Sequence, residues 1–286
     1  MSINRRTFFK AMGATAVALS VGRTASAESL QNQETEFNGM LYDITKCKGC
    51  HGCEYDCAEA HGFPEPDIPK NPPFRRTDET RCTVVNIIET SKGKTPVKMQ
   101  CMHCNQPACD AACLTQAMHK TEEGPVIWRE DKCMGCRYCM ISCPFDVPKF
   151  EYNSTNPRII KCDMCYNLLL EGEIPACAYY CPNEALMYGK RSDLIREARK
   201  RIHDDPESYV DYIYGEHEAG GTSWLYLSPV PFEELGFNTK IQKTSYPGLT
   251  KGFISSIAPV DILLPAVLLG IYEATKSNKK SEEEEL

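Results

Sequence analysis

Sixteen of the seventeen cysteines in this chain fall into four quartets, and no other feature restricts the fold as severely. The quartets are Cys47, Cys50, Cys53 and Cys57; Cys101, Cys104, Cys109 and Cys113; Cys133, Cys136, Cys139 and Cys143; and Cys162, Cys165, Cys177 and Cys181. The first and third share the spacing C-x2-C-x2-C-x3-C, the second has a wider middle gap, and the fourth holds eleven residues between its pairs. A short turn with a thiolate at every third residue can reach three corners of a cubane cluster. The distal cysteine sits on the segment leaving that turn and serves a neighbouring cluster. Pro144 and Pro182 follow the third and fourth distal cysteines.

Two other chemistries compete for these thiols. Structural zinc uses C-x2-C pairs, and an exported chain with an even set of cysteines can be a disulfide framework. Neither calls for three cysteines at successive third positions. The spacing therefore favours iron–sulfur ligation, with an exported zinc or disulfide module as the alternative from a different class.

Composition narrows the rest. A chain of 286 residues allows one or two cored domains. Charged residues make up 25% and the mean hydropathy is −0.40, so most of the chain reads as soluble. The net charge of −7 offers no basic footprint for nucleic acid. Neither of the glycine-rich nucleotide fingerprints occurs. No set of residues reads as a substrate site, so no catalytic residue is expected.

The N-terminus reads as an address. Arg5 and Arg6 precede Phe8 and Phe9, a modestly apolar run covers 11–21, and Ala25-Ser26-Ala27 offers a cleavage site. Residues 1–27 thus look like a twin-arginine signal peptide, which carries folded cofactor proteins outward.

Four quartets in this order resemble the four-cluster ferredoxin-like subunits of membrane-associated respiratory oxidoreductases. More narrowly, the chain resembles the HybA-type electron-transfer subunits of periplasmic nickel–iron hydrogenases. The narrower likeness rests on the twin-arginine start, "GMLYD" before the first quartet, "QCMHC" at the second and "CMGCRYCMISCPFDVPKF" at the third. "YGEHEAGGTSWLYLSPVPFEELGF" after the fourth quartet and an apolar segment near the C-terminus add to it.

The resemblance implies an α+β fold of two interleaved ferredoxin-like modules holding four 4Fe–4S clusters. One cluster would take Cys47, Cys50, Cys53 and Cys181, and its neighbour Cys162, Cys165, Cys177 and Cys57. The inner pair would take Cys133, Cys136, Cys139 and Cys113, and Cys101, Cys104, Cys109 and Cys143. The implied partners are hydrogenase small and large subunits, or a molybdopterin subunit, on one side. An integral membrane quinone-reactive subunit stands on the other, with the protein at the periplasmic face of the cytoplasmic membrane. The implied division is a cluster domain at 28–190, a C-terminal extension for docking at 191–251, a transmembrane helix at 252–274 and a charged tail at 275–286.

Local patterns complete the reading. "RCTVVNIIET", "SKGK" and "TPVKMQ" read as strand, turn and strand. Within them Cys82 reads as a buried unligated thiol. His51 and His103 lie inside ligand loops as candidate donors to sulfur. Leu194, Ala198 and Ile202 form one apolar helix face, with Ser192 or Asp193 as N-cap. "AGGTSWLYLS" reads as a strand whose aromatic groups face either core or partner. Residues 252–272 are long enough to span a bilayer, interrupted by Asp261 between Pro259 and Pro265. The same stretch also suits a helix lying in a groove of a membrane partner. Finally, Glu54, Asp56 and Glu59 cluster at the first quartet while Arg137 sits inside the third. These charges predict a first-quartet cluster harder to reduce than that of the third.

Overall fold

Strand β1 (Asn38–Asp43) precedes the first quartet and strand β8 (Leu186–Lys190) follows the fourth, yet the two pair antiparallel, with Gly39 opposite Gly189. Strand β9 (Trp224–Leu227) joins the other edge of β1 in parallel, giving a three-stranded sheet with β1 in the middle. The cysteine region is thereby closed at its base. This is a computed structural model that describes residues 36–69 and 73–284. The expected signal peptide at 1–27 lies outside the described residues.

The sheet has two covered faces, and its residues alternate between them as the pleat requires. Met40, Tyr42, Trp224 and Tyr226 join the core beneath the cysteines. Leu41, Leu225 and Leu227 pack on the other face against Leu194, Ala198 and Ile202. With both faces covered, β1 and β9 can be apolar at nearly every position. The aromatic groups of "AGGTSWLYLS" are therefore core groups: Trp224 is 0% exposed.

The three residues of the second face lie on the helix Arg191–Asp204. That helix begins two or three residues earlier than its sequence suggests, with Lys190 at the N-cap, and no side chain caps it. The first N–H groups are satisfied from elsewhere, Arg191 N donating to Phe37 O at 2.9 Å and Ser192 N to Glu36 Oε1 at 3.1 Å. Arg201 then fixes the helix to the sheet, donating to the fully buried Asp43 Oδ2 at 2.9 Å.

Three hairpins fill the cysteine region: β2 (Val84–Thr90) with β3 (Gly93–Met99), β4 (Met118–Lys120) with β5 (Val126–Trp128), and β6 (Lys149–Phe150) with β7 (Ile159–Ile160). The first matches the expected strand–turn–strand, with Gly93 at φ 98° closing its tight turn.

Among the described residues, helices of the cysteine region are short: α1 (Gly52–His61), α2 (Ala108–Ala111), α3 (Tyr138–Ser142), α4 (Tyr166–Leu170) and α5 (Ala176–Tyr179). Helix α1 packs on α5, and α2 packs on α3. The first quartet's helix thus meets the fourth's, and the second's meets the third's. The Arg191–Asp204 helix is α6.

Residues Glu36–Leu249 make one unit, and the chain from Thr250 belongs to another. The helix α7 (Tyr246–Glu284) contains Pro259 and Pro265. Its part Tyr246–Glu273 is long and apolar enough to cross a membrane, and its apolar stretch is not buried in the protein.

Candidate iron–sulfur centres

All four quartets use the same turn. The residue before the second cysteine is left-handed in each: Gly49 at φ 66°, His103 at 47°, Gly135 at 72° and Met164 at 61°. In the first and third quartets the residue after that cysteine, His51 or Arg137, is left-handed as well, both at 61°. Left-handed non-glycine residues cost on the order of 1–3 kcal/mol and persist where the surroundings hold them. Such turns aim successive backbone N–H groups into one concavity, which suits an anion such as a thiolate-bound cluster. Two of these donors reach sulfur at 3.4 Å, Gly49 N to Cys47 Sγ and Met164 N to Cys162 Sγ, and Met118 N at the start of β4 reaches Cys113 Sγ at the same distance. Three residues beyond the distal cysteines, Gln116, Asp146 and Glu184 repeat another left-handed turn at φ 55°, 52° and 49°.

The helices set the remaining ligand positions. Cys53, Cys109, Cys139 and Cys177 each lie in a short helix, and the distal cysteine follows one helical turn later. Packing α1 on α5 and α2 on α3 brings each distal cysteine toward the other member of its pair.

The thiols gather accordingly into four sets. Cys47, Cys50, Cys53 and Cys181 line one cavity with Tyr42, Lys98 and Leu186. Cys113, Cys133, Cys136 and Cys139 line another with Trp128 and Ile159. Cys101, Cys109 and Cys143 surround Cys104. Cys57 lies beside Cys162, Cys165 and Cys177. Where these last two sets meet, Cys57, Cys101 and Cys162 pack around Val147, Ile160 and Cys82.

Burial, reinforced by neighbouring thiols, pushes Cys165 up to about 12 and Cys139 and Cys143 up to about 11. Bare, they would hold their protons; a bound iron centre makes them thiolates outright. Four convergent thiols ringed by N–H donors are a donor set that fits a 4Fe–4S group. One buried atom points the same way. His103 is 0% exposed, and its Nδ1 accepts from Val126 N at 2.8 Å. Burial first, then Lys161, Lys120 and Lys98, keep the ring neutral. Its proton therefore sits on Nε2, a buried donor with no protein partner.

Of the two ligand-loop histidines, His51 Nδ1 contacts Glu54 Oε1 at 2.9 Å, whereas His103 keeps its Nε2 donor without a protein partner. The histidine near sulfur is His61, one helical turn after Cys57, with Nδ1 3.8 Å from Cys57 Sγ and Nε2 2.7 Å from Asp163 Oδ1. Burial works against its charge, but Asp163 and Cys57 outweigh it and carry its pKa up to about 11. The i, i+4 spacing in "CAEAH" was the available signal. Cys82 is buried as expected and packs in one cluster with Cys57, Cys101 and Cys162. Sequence reasoning also passed over Lys98 and Lys161, both buried among the thiols.

Comparison with known proteins agrees with this geometry. The 4Fe-4S dicluster domain family matches residues 95–191. A protein of Nitratidesulfovibrio vulgaris is 40% identical, over 99% of this chain and 80% of its own length. The hydrogenase-2 operon protein HybA of Escherichia coli O157:H7 is 31% identical over 98% of this chain and 97% of its own length. The B component of the anaerobic dimethyl sulfoxide reductase of Escherichia coli K12 is 36% identical over 58% of this chain and 78% of its own length. Matched almost end to end, the chain belongs to the HybA-type family of 4Fe–4S proteins, the iron–sulfur electron-transfer subunits of respiratory hydrogenase and molybdopterin oxidoreductase complexes.

Proposed function

We propose that the chain is a four-cluster wire joining a periplasmic hydrogenase to a quinone-reactive membrane subunit. Its sixteen ligands fall into the sets Cys47, Cys50, Cys53, Cys181; Cys57, Cys162, Cys165, Cys177; Cys101, Cys104, Cys109, Cys143; and Cys113, Cys133, Cys136, Cys139. Bound 4Fe–4S clusters supply the one-electron carriers, and the protein's task is to hold them in line and keep water off the inner ones. The supporting observation is a gradient of burial along that order. Cys50 and Cys136, at the two ends, are exposed, while every cysteine of the second set is buried. A line of sites that opens to the surface only at its ends suits entry at one end and exit at the other, with no substrate site between.

The hydrogenase side of the proposal is supported by the match to HybA along nearly the whole of both proteins. A molybdopterin enzyme is the second reading, supported by the match to the dimethyl sulfoxide reductase component over the cysteine region. Under either reading, residues 1–27 direct twin-arginine export and the apolar helix holds the chain at the membrane. Purification from membranes of the native host discriminates. A copurifying large subunit containing nickel supports the hydrogenase complex, and one containing molybdenum overturns it in favour of the second reading. Iron and acid-labile sulfide below four clusters per chain would defeat the ligand assignment under both.

A further inference from the structure

Two lysine ammonium groups lie among the thiols with only neutral hydrogen-bond partners. Lys98, on β3, is 1% exposed, and Lys161, directly after β7, is 6% exposed. Lys98 Nζ donates to Thr83 Oγ1 at 2.6 Å and Gln100 Oε1 at 3.0 Å, and stands 4.7 Å from the Trp224 ring centroid. Lys161 Nζ donates to the carbonyl oxygens of Val126 and, at 2.7 Å, of Cys162. Neutral acceptors satisfy the donors, but they do not offset the cost of burying a charge. Anionic groups nearby must do so.

The charges these lysines face are those of the cysteines. Lys98 faces Cys177, Cys53, Cys162 and Cys57, so it stands between the first and second thiol sets. Lys161 faces Cys101, Cys109 and Cys162, with Asp163 behind them, so it stands between the second and third. Around Cys139, in the fourth set, the charged neighbours are the other three thiols of that set. Arg137 also lines that fourth site, but it is exposed, with its guanidinium over the rings of Phe150 and Tyr152. Solvent screens it there.

We propose that Lys98 and Lys161 are potential-setting residues, whose fixed buried charges favour the reduced state of the clusters in the first three thiol sets. The proposal rests on the ligand assignment given above. A cluster held by four thiolates is an anion, and reduction adds one electron to it with no bond made or broken. In the wire that electron comes from a partner or an adjacent cluster, and in a titration from the reductant. A nearby ammonium stabilises the added charge, and a low-dielectric interior makes that attraction far stronger than at a surface. The loop charges of the first quartet predict a cluster that resists reduction. Glu54, however, is buried in a pair with Arg75, and the cation left to face that site is Lys98.

The test is an EPR-monitored redox titration of the full chain loaded with clusters, its components assigned through single Cys→Ser ligand variants. Lys98→Met keeps the bulk of the side chain and removes the charge. It is expected to disfavour reduction of the first and second sets' clusters by about tenfold, ~59 mV for a one-electron couple, while the component of Cys113, Cys133, Cys136 and Cys139 stays in place. Lys98→Arg should hold the wild-type values. Lys161→Met should shift the second and third sets instead. Gln100→Glu guards against a folding defect in Lys98→Met, because it sets a carboxylate against the ammonium with almost no change of shape. It should lower the same components as Lys98→Met at full iron content. Unmoved potentials in a fully loaded Gln100→Glu protein would overturn the proposal, as would equal drops in Lys98→Met and Lys98→Arg. A wild-type chain carrying fewer than four clusters would instead defeat the ligand assignment, which the iron and sulfide content reports separately.

Discussion

Glu54 and Arg75 meet as a buried two-armed pair, Arg75 Nη1 donating to Glu54 Oε2 at 2.9 Å and Nη2 to Oε1 at 2.5 Å. Val85 N also donates to Glu54 Oε1, at 2.7 Å, and Arg75 Nη2 reaches Val85 O at 2.8 Å. Burial would raise the carboxyl pKa, but Arg75, His51 and Val85 N together hold it below the ordinary glutamate value. One carboxylate thus ties α1, and with it the first ligand loop, to the backbone of β2.

Breaking that pair leaves an uncompensated buried charge. Glu54→Gln and Arg75→Met should each destabilise the loaded protein by about 3–5 kcal/mol. The double variant should lose less than the sum of the two. Thermal unfolding of the four proteins, followed by loss of the cluster absorbance, gives the comparison. Additive losses would mean that the two side chains act independently.

The contrast with the loop-charge expectation marks where sequence reading stops. The quartets, the β2–β3 hairpin and the apolar face of α6 were legible because each is a periodic pattern within a few residues of chain. No spacing rule joins Glu54 to Arg75, and Lys98 within "TPVKMQ" looks like any solvated strand residue. Its burial depends on Trp224, which arrives with a strand from far along the chain. The left-handed positions divide the same way: Gly49 and Gly135 announce themselves, whereas His103 and Met164 adopt the same turn without glycine.

Two glycines directly opposed in the sheet should respond differently to a methyl group. A Cβ on Gly39 would lie 2.4 Å from Ser223 O, the acceptor of the 2.7 Å bond from Met40 N. A Cβ on Gly189 would meet only Leu194 Cδ2, at an ordinary 3.8 Å. Gly39→Ala should therefore cost at least about 1–3 kcal/mol, the usual range for overpacking, because a backbone carbonyl cannot step aside as a side chain can. Gly189→Ala should be neutral or gain about 0.5 kcal/mol from reduced chain entropy. Equal effects in unfolding measurements would contradict the close approach of β1 and β9.

Cys82 and Cys57 pack in one buried cluster, yet only one of them belongs to a set of four. The neighbouring Cys82 thiol, and burial after it, hold the Cys57 thiol well above its ordinary pKa. With the four sets complete without it, Cys82→Ala should retain the full iron and sulfide content. Cys57→Ala should lose one cluster and, because the set is shared between two quartets, loosen the contact of α1 with α5. Iron loss in Cys82→Ala matching that in Cys57→Ala would make Cys82 a ligand and would require the second set to be redrawn.

The C-terminal helix presents the last test. Its apolar stretch carries one charge between 252 and 272, Asp261, and side chains such as Phe253, Ile262 and Leu269 are exposed. Hydroxyl groups within it are satisfied along the helix, Ser255 Oγ donating to Gly252 O at 2.9 Å and Ser256 Oγ to Phe253 O at 2.7 Å. A segment that needs no water for its hydroxyls and exposes its apolar groups suits a lipid environment. Pro259 and Pro265 free backbone carbonyls one turn earlier, and Asp261 costs roughly 2.5–3.5 kcal/mol at a bilayer centre. Truncation after Lys251 should therefore release the cluster-bearing part from washed membranes when the membrane partner is absent. Asp261→Leu should strengthen retention of the full chain under the same conditions. Full-length and truncated chains that partition alike would show that the helix is no anchor. Loss of quinone-linked electron transfer in Asp261→Leu, with membrane binding intact, would instead give the carboxylate a role in the complex.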